Sequence, residues 1–266
     1  MHFCCDYHIH SNFSLDSDSS MEAMIENALQ KGLSEITFTD HIDLDYPNYF
    51  FEFNIDDYLN QIEFFKSKYK NKISVKAGIE IGLQPHLSNK NNDLINKYPF
   101  DFVIASTHII DKSDPCCGTF FTNKTQIGSY QDYFKEVLYN VKNFNNYNVC
   151  GHLDYIVRYG NFSLRYISYY DVCDICDEIF KQIIYSGNGI EINSSAYRYG
   201  FYNPHPKYDF IKRYKELGGE IITIGSDAHK PEHICSNFSQ VYDILSSLNV
   251  KYITIFEKRK PQFIKI

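Results

Sequence analysis

Short runs rich in Ile, Val, Phe and Thr alternate along this chain with longer stretches whose apolar side chains recur every three or four positions. The first pattern belongs to strands buried on both faces, the second to amphipathic helices. Read this way, strands fall at residues 3–9, 35–39, 73–79, 101–106, 148–151, 189–192 and 221–225. Helices fall at 21–31, 55–69, 91–97, 126–143, 168–185, 207–217 and 239–248. Ser19 and Glu22 have capping-box spacing ahead of the first helix. A last strand-like run, 251–256, is expected as an addition at the edge of the barrel. Strands that alternate with helices in this way predict a parallel sheet with crossover helices, and hence an α/β barrel.

The length, 266 residues, suits one such barrel, and no Gly/Ser-rich linker, repeat or break in composition divides it. A single domain over residues 1–266 is expected. Hydrophobic residues make up 44% and charged residues 22%, enough apolar surface for a continuous core. The net charge of -7 argues against a broad basic surface for nucleic acid. A small phosphorylated metabolite stays open, because a few local cations can meet its charge. The opening Met1-His2-Phe3-Cys4-Cys5-Asp6 is not a basic segment followed by an apolar one. No run reaches the roughly 18 apolar residues of a membrane span, so a cytoplasmic protein without a membrane partner is expected. The eight cysteines include adjacent pairs at Cys4-Cys5 and Cys116-Cys117 and do not resemble a secreted disulfide framework, so reduced thiols are expected. Cys173 and Cys176 form a lone CxxC within helical periodicity and read as small buried residues.

The chemistry lies where polar residues interrupt the apolar runs. Strand one runs into His8-Ile9-His10, strand two into Asp40-His41, strand three into Glu80, strand four into His108, strand five into His152 and strand seven into Asp227-Ala228-His229. Six of the ten histidines thus sit at C-terminal strand ends, which in a parallel barrel share one face. Within His8-x-His10 and Asp227-x-His229 the spacing of two puts both side chains on one side of an extended segment. Core packing gives no reason for ionisable residues to recur at the same end of successive strands. Imidazoles and carboxylates without an organised thiolate set suit Zn, Mn or Fe ions that keep open positions, and Glu80 is placed to bridge two of them.

Asp6-Tyr7-His8-Ile9-His10-Ser11, Phe38-Thr39-Asp40-His41, Gly78-Ile79-Glu80-Ile81-Gly82, Ser106-Thr107-His108, Gly151-His152-Leu153-Asp154 and Gly225-Ser226-Asp227-Ala228-His229 resemble the motifs of the PHP (polymerase and histidinol phosphatase) superfamily. Their order is similar to that of its histidinol-phosphatase branch, from about residue 3 to residue 240. The resemblance implies a distorted (β/α)7 barrel with three divalent metal ions at the C-terminal strand ends. Carried over motif by motif, His8, His10, Glu80 and Asp227 would hold one ion, and Glu80, His108 and His152 a second. His41, His229 and a loop carboxylate, Asp16 with Asp18 as its neighbour, would hold the third. The implied reaction is hydrolysis of the phosphomonoester L-histidinol phosphate to L-histidinol and phosphate, in histidine biosynthesis, by attack of a metal-bridging hydroxide. Catalytic roles fall to Asp227 or His229 for the proton taken by the leaving alkoxide, with the choice left open.

Arg158 and Arg198 follow the fifth and sixth strands and resemble the phosphate-binding arginines of that branch, a role for which the guanidinium fork is suited. Glu191, Asn193 and Ser195 are candidates to line the substrate pocket, whereas His86 and His205, each beside a proline, read as structural or rim residues. His233 is expected near the site but not as a ligand. Competing readings are a PHP phosphoesterase for another phosphomonoester or short nucleotide and a non-catalytic metal-binding module. An amidohydrolase on a related barrel is disfavoured, because after strands three and four no lysine stands where a bridging ligand would be needed, and Glu80 takes that place.

Overall fold

Strands that lack a polar face have to be covered on both sides, and this chain covers them by rolling the sheet and packing helices outside it. The computed structural model describes residues 5–266, so Phe3 and Cys4, where the first strand was expected to begin, lie outside the described residues. The strands are β1 (Cys5–Ile9), β2 (Glu35–Phe38), β3 (His41–Ile42), β4 (Ser74–Gly82), β5 (Phe102–Ser106), β6 (Val149–Cys150), β7 (Gly189–Asn193) and β8 (Ile222–Gly225). They pair in parallel along the path β1-β2-β4-β5-β6-β7-β8, with the two-residue β3 set against β4. A parallel bridge between Ile9 and Ala228 brings the first and last strands together, with the His10 N–H donating to the Ala228 carbonyl at 2.9 Å. The result is the expected barrel of seven strands, nearly closed. Below the bridge, the fully buried Asp6 accepts from the Ser226 and Cys235 N–H groups at 2.9 Å each, tying β1 to the segment that follows β8.

The surrounding helices are α1 (Met21–Gln30), α2 (Ile55–Lys68), α3 (Ser88–Lys97), α4 (Gln126–Asn143), α5 (Cys173–Tyr185), α6 (Tyr208–Glu216) and α7 (Phe238–Ser247). Local chemistry sets their ends. Asn54 accepts from the Asp56 and Asp57 N–H groups to open α2, with those two acids in its first turn and Lys66 and Lys68 in its last, as the helix dipole favours. Ser20, and not Ser19, caps α1 by accepting from the Ala23 N–H, because the Ser19 hydroxyl is taken by the His229 carbonyl across the barrel mouth. The helix expected from residue 168 starts at Cys173, since Ser168 and Asp171 close a separate 3-10 turn on each other. Within α5, Cys176 is fully buried, in keeping with a packing role for the CxxC. No helix of the described residues is long and apolar enough to cross a membrane.

The run at 251–256 is not a barrel edge. It becomes β9 (Tyr252–Glu257), which pairs antiparallel with β10 (Lys260–Lys265), a strand not foreseen. Lys258 and Arg259 between them both have positive φ, the conformation of a tight two-residue hairpin loop. The hairpin caps the N-terminal end of the barrel. There the Tyr7 hydroxyl accepts from the Phe256 N–H at 2.8 Å and donates to Glu35, while Lys76 pairs with Glu257. The pairing of β1 with β2 shifts register between Asp6 and Ile9. Through that irregularity Tyr7 and His8, adjacent in sequence, both enter the interior, Tyr7 towards the hairpin and Phe102, His8 towards the opposite mouth.

Tyr7→Phe should leave the Phe256 N–H and the half-buried Glu35 without this partner. We expect a loss of about 1–3 kcal/mol in urea unfolding; an unchanged midpoint and slope would mean that the hairpin is held by its other contacts alone.

Candidate metal centre

Side chains on alternate positions of β4 face the barrel interior, so Lys76 reaches the hairpin at one end and Glu80 the mouth at the other. Glu80 lies within the strand because β4 runs on to Gly82, beyond the expected end at residue 79. Its carboxylate is fully buried and faces five imidazoles: His8 Nε2 and His152 Nε2 at 3.0 Å, His41 Nδ1 at 3.1 Å, His108 Nε2 at 3.4 Å and His10 Nε2 at 3.5 Å. Asp227 Oδ1 approaches His10 Nε2 at 3.4 Å, His229 Nδ1 at 3.5 Å and His8 Nε2 at 3.8 Å. Asp16 Oδ2 reaches His229 Nε2 at 3.2 Å and His41 Nε2 at 3.8 Å, which selects Asp16 over Asp18 as the loop carboxylate brought to the cluster. All nine residues expected to ligate metal therefore converge on one mouth of the barrel.

Among the described residues, four triads have ligand atoms within 4.8 Å of one another: His8, His10 and Asp227; Glu80, His108 and His152; His10, His41 and His229; and His41, Asp43 and His108. The last includes a residue the sequence reading passed over. Asp43 lies two beyond His41, the same spacing that marks His8 and His10, and that spacing was the available signal. Its Oδ1 accepts from His108 Nδ1 at 2.8 Å, and its Oδ2 is 3.5 Å from His41 Nδ1. A Cβ on Gly82 would collide with this carboxylate, so the second glycine of Gly78-Ile79-Glu80-Ile81-Gly82 makes room for Asp43.

Neighbouring groups settle which ring nitrogen is free. The Ser14 hydroxyl has one hydrogen and gives it to Asp40 Oδ1 at 2.8 Å, so the His10 Nδ1–H is the donor in the 3.0 Å contact with that hydroxyl, leaving Nε2 to the cluster. His8 Nδ1–H donates to Glu191 Oε1 at 2.6 Å, and His229 Nδ1–H to the Asp227 carbonyl at 3.1 Å. This use of one ring nitrogen to aim the other is how metal-binding histidines are oriented. Asp40 itself is not at the cluster: it accepts four hydrogen bonds from Ser11 and Ser14 and folds the β1 loop beneath His10 and His41.

The electrostatics suit a cation. Burial would raise the Glu80 carboxyl, but His8, His41, His108 and His152 hold it well below its usual range. Asp227 is likewise kept low against burial by His8, His10 and Arg158. Burial and the adjacent His229 and His41 push His10 well below the ordinary imidazole value, whereas Glu80 and Asp16 overcome burial to lift His41 to about 9. His10 Nε2 and His41 Nδ1 are buried in the cluster without a hydrogen-bond partner. Such groups are costly unless something else satisfies them, and ring nitrogens crowded among carboxylates in this way fit divalent metal ions.

A cleft of about 380 Å³ opens over the cluster, walled by Tyr46, Phe51, Tyr155, Tyr159 and Tyr199 and lined also by Arg158, Arg198 and His233. Arg158 is buried and fixed: Nη2 donates to Ser195 Oγ at 2.5 Å and Asp227 Oδ2 at 3.3 Å, and Nε to His205 Nε2 at 3.1 Å. Because an arginine only donates, His205 accepts on Nε2 and donates from Nδ1 to Asp154 at 2.5 Å; burial keeps it neutral. The sequence reading left His205 as a rim or structural residue, and the second of these holds. Glu191, Asn193 and Ser195 do not line the pocket as expected. They lie beneath it, buried, bracing His8, Asp227 and Arg158. Arg198 is held by neutral acceptors, Ser236 Oγ at 2.6 Å and the Asp227 carbonyl at 2.7 Å, so no carboxylate within ion-pair distance among the described residues compensates its charge. Asp227 supports these contacts from a positive φ of 53°, strain of a kind that surrounding contacts must hold in place. His86 pairs with Asp45 at the surface, away from the cleft.

Residues 6–195 match the family model of the PHP domain. The chain is 36% identical over 228 residues to a histidinol-phosphatase of Lactococcus lactis, covering 84% of this chain and 83% of that protein. It is 34% identical over 261 residues to a probable histidinol-phosphatase of Clostridium acetobutylicum, covering 97% and 98%. A crystal structure of the histidinol phosphate phosphatase of Lactococcus lactis, complexed with zinc, L-histidinol and phosphate, superposes with a TM-score of 0.91 at 31% identity, covering 97% of this chain and 98% of that one. This chain belongs to the PHP family, in its histidinol-phosphatase branch.

Proposed function

We propose that this protein hydrolyses L-histidinol phosphate to L-histidinol and inorganic phosphate, as a cytoplasmic enzyme of histidine biosynthesis. The observation that carries the reading is one cleft in which an imidazole–carboxylate cluster faces two guanidinium groups, in a chain similar throughout its length to histidinol-phosphatases. A single catalytic domain fits it best, extending past residue 195 because Asp227 and His229 complete the cluster from the last barrel strand.

His8, His10, Glu80 and Asp227 would hold one divalent metal ion, Glu80, His108 and His152 a second, and His41, His229 and Asp16 a third, with Asp43 steadying His41 and His108. Bound there, Zn, Mn or Fe ions supply Lewis acidity towards phosphoryl oxygens and make water a better nucleophile at neutral pH. The chain's own groups do the rest. Arg158, its fork held by Ser195, Asp227 and His205, presents a fixed guanidinium to the phosphate, and Arg198 adds the charge its neutral partners leave uncompensated. The two lie near enough for Arg158 to disfavour the charged form of Arg198, after the larger effect of burial, and an anion between them relieves that repulsion. The aromatic walls offer flat faces to the imidazole of the substrate. Asp227 or His229, beside the cluster, would relay a proton from water to the leaving alkoxide.

Purified protein supplied with Mn or Zn should release phosphate selectively from L-histidinol phosphate within a panel of phosphomonoesters, and lose the activity on chelation. Turnover only of other esters would discard the substrate while keeping the phosphoesterase. Glu80→Ala is expected to lower kcat at least about a hundredfold together with metal content; full activity with full metal would remove Glu80 from the ligands. Arg198→Ala should lower kcat/KM while metal content stays unchanged, and unaltered kinetics would place that arginine outside substrate binding.

A further inference from the structure

The connection between β5 and α4, residues 107–125, carries His108 at its second position and the adjacent cysteines Cys116 and Cys117 further on. Both thiols are exposed and neither is in a disulfide. By contrast Cys150 and Cys176 are buried and Cys173 is half-buried on α5. The pair stands on a short 3-10 turn, Pro115–Cys117, started by Asp114, whose Oδ1 accepts from the Cys116 N–H at 2.7 Å. Gly118 ends the turn at a φ of 77°, with open space where a Cβ would stand.

Asp114 joins this turn to the cleft. Its Oδ2 accepts from the Cys117 thiol at 3.8 Å and from the Tyr46 hydroxyl at 2.8 Å. Tyr46 is a wall of the cleft and packs on Phe51 at 4.5 Å, which in turn meets the edge of His41. Cys116 is close enough to the cleft residue Tyr159 to influence its ionisation.

We propose that Cys116 and Cys117 form a vicinal dithiol site on the rim of the cleft that binds a trivalent arsenical, and that filling it blocks the cleft. The inhibitory half rests on the reading of the cleft as the substrate site. With an organoarsine oxide, both S–H bonds and the arsenic–oxygen bond break, two As–S bonds form, and the oxygen leaves as water with both protons. Arsenic stays trivalent, so no oxidant or reductant is required. Partial burial, Asp114 and Cys117 together raise the Cys116 pKa and so disfavour its thiolate. That slows reactions that need a thiolate, such as alkylation and peroxide oxidation, and favours a reagent that removes the protons as water. Bridging draws the Cys117 sulfur away from Asp114, and with it the anchor that holds Tyr46 against the cleft.

The test is titration of the metal-loaded protein with phenylarsine oxide, followed by intact mass and by phosphate release. One arsenic should add per chain while activity falls at least about tenfold, as expected when a wall of a reactive site is displaced. A dithiol such as 2,3-dimercaptopropanol should reverse both effects where an equivalent monothiol does not. Cys116→Ser and Cys117→Ser should each keep basal activity and fail to form the adduct, and Cys173→Ser should form it normally. An adduct that persists in Cys116→Ser, or is lost in Cys173→Ser, overturns the site. A full adduct with unchanged activity overturns its coupling to the cleft. Because the adduct is read by mass, the dithiol site stands or falls independently of the substrate assignment.

Discussion

One buried carboxylate organises the mouth of this barrel. Glu80 has five imidazoles within 3.5 Å and the Ser106 hydroxyl at 2.6 Å, contributed by strands and loops on both sides of β4. Burying a charge is expensive unless it is paired, and here the pairing comes from residues as far apart in sequence as His8 and His152. The barrel must be closed for that compensation to exist. The site therefore depends on the contacts that join β1 to β8, the Ile9–Ala228 bridge and the Asp6 carboxylate, as much as on its ligands.

The carboxylates and hydroxyls that aim the cluster's histidines are themselves almost entirely buried. Asp40 works through Ser14 to fix His10, Glu191 fixes His8, and Asp43 fixes His108. These carboxylates need space that ordinary side chains would fill. Gly82 leaves it for Asp43, and Gly225 leaves it for Glu191, which a Cβ at that position would strike. These two glycines are the last residues of their strands, where a missing side chain admits an acidic one from a neighbour.

Asp227 connects the cluster to the anion-binding side of the cleft. One of its oxygens faces His10 and the other Arg158, and its carbonyl accepts from both Arg198 and His229. A substrate phosphate would meet groups whose positions are already set by one strained residue. The buried Asp154–His205 pair continues the same support behind Arg158, so a neutral histidine serves here as an acceptor and not as an acid.

The amino-acid sequence by itself determined the alternation of strands and helices and the recurrence of His, Asp and Glu at strand ends. Both are local: burial on two faces dictates an apolar run, and a ligand must stand where the run meets the open mouth. That His8, His10, His41, Glu80, His108, His152, Asp227 and His229 share one mouth was legible for that reason, and Arg158 and Arg198, expected there from the resemblance, stand in the same cleft. What depends on distant pairing was not. The register shift that sends Tyr7 and His8 to opposite ends of the interior, the cap formed by β9 and β10, and the loss of Ser19 from the α1 cap to the His229 carbonyl arise only when the barrel closes. Asp43 was passed over, Glu191 was expected in the pocket lining and the hold of His205 on Arg158 was not foreseen, because their partners are supplied by other elements. Only the tertiary structure places them against a buried charge, where an unpaired polar group would be too costly to keep.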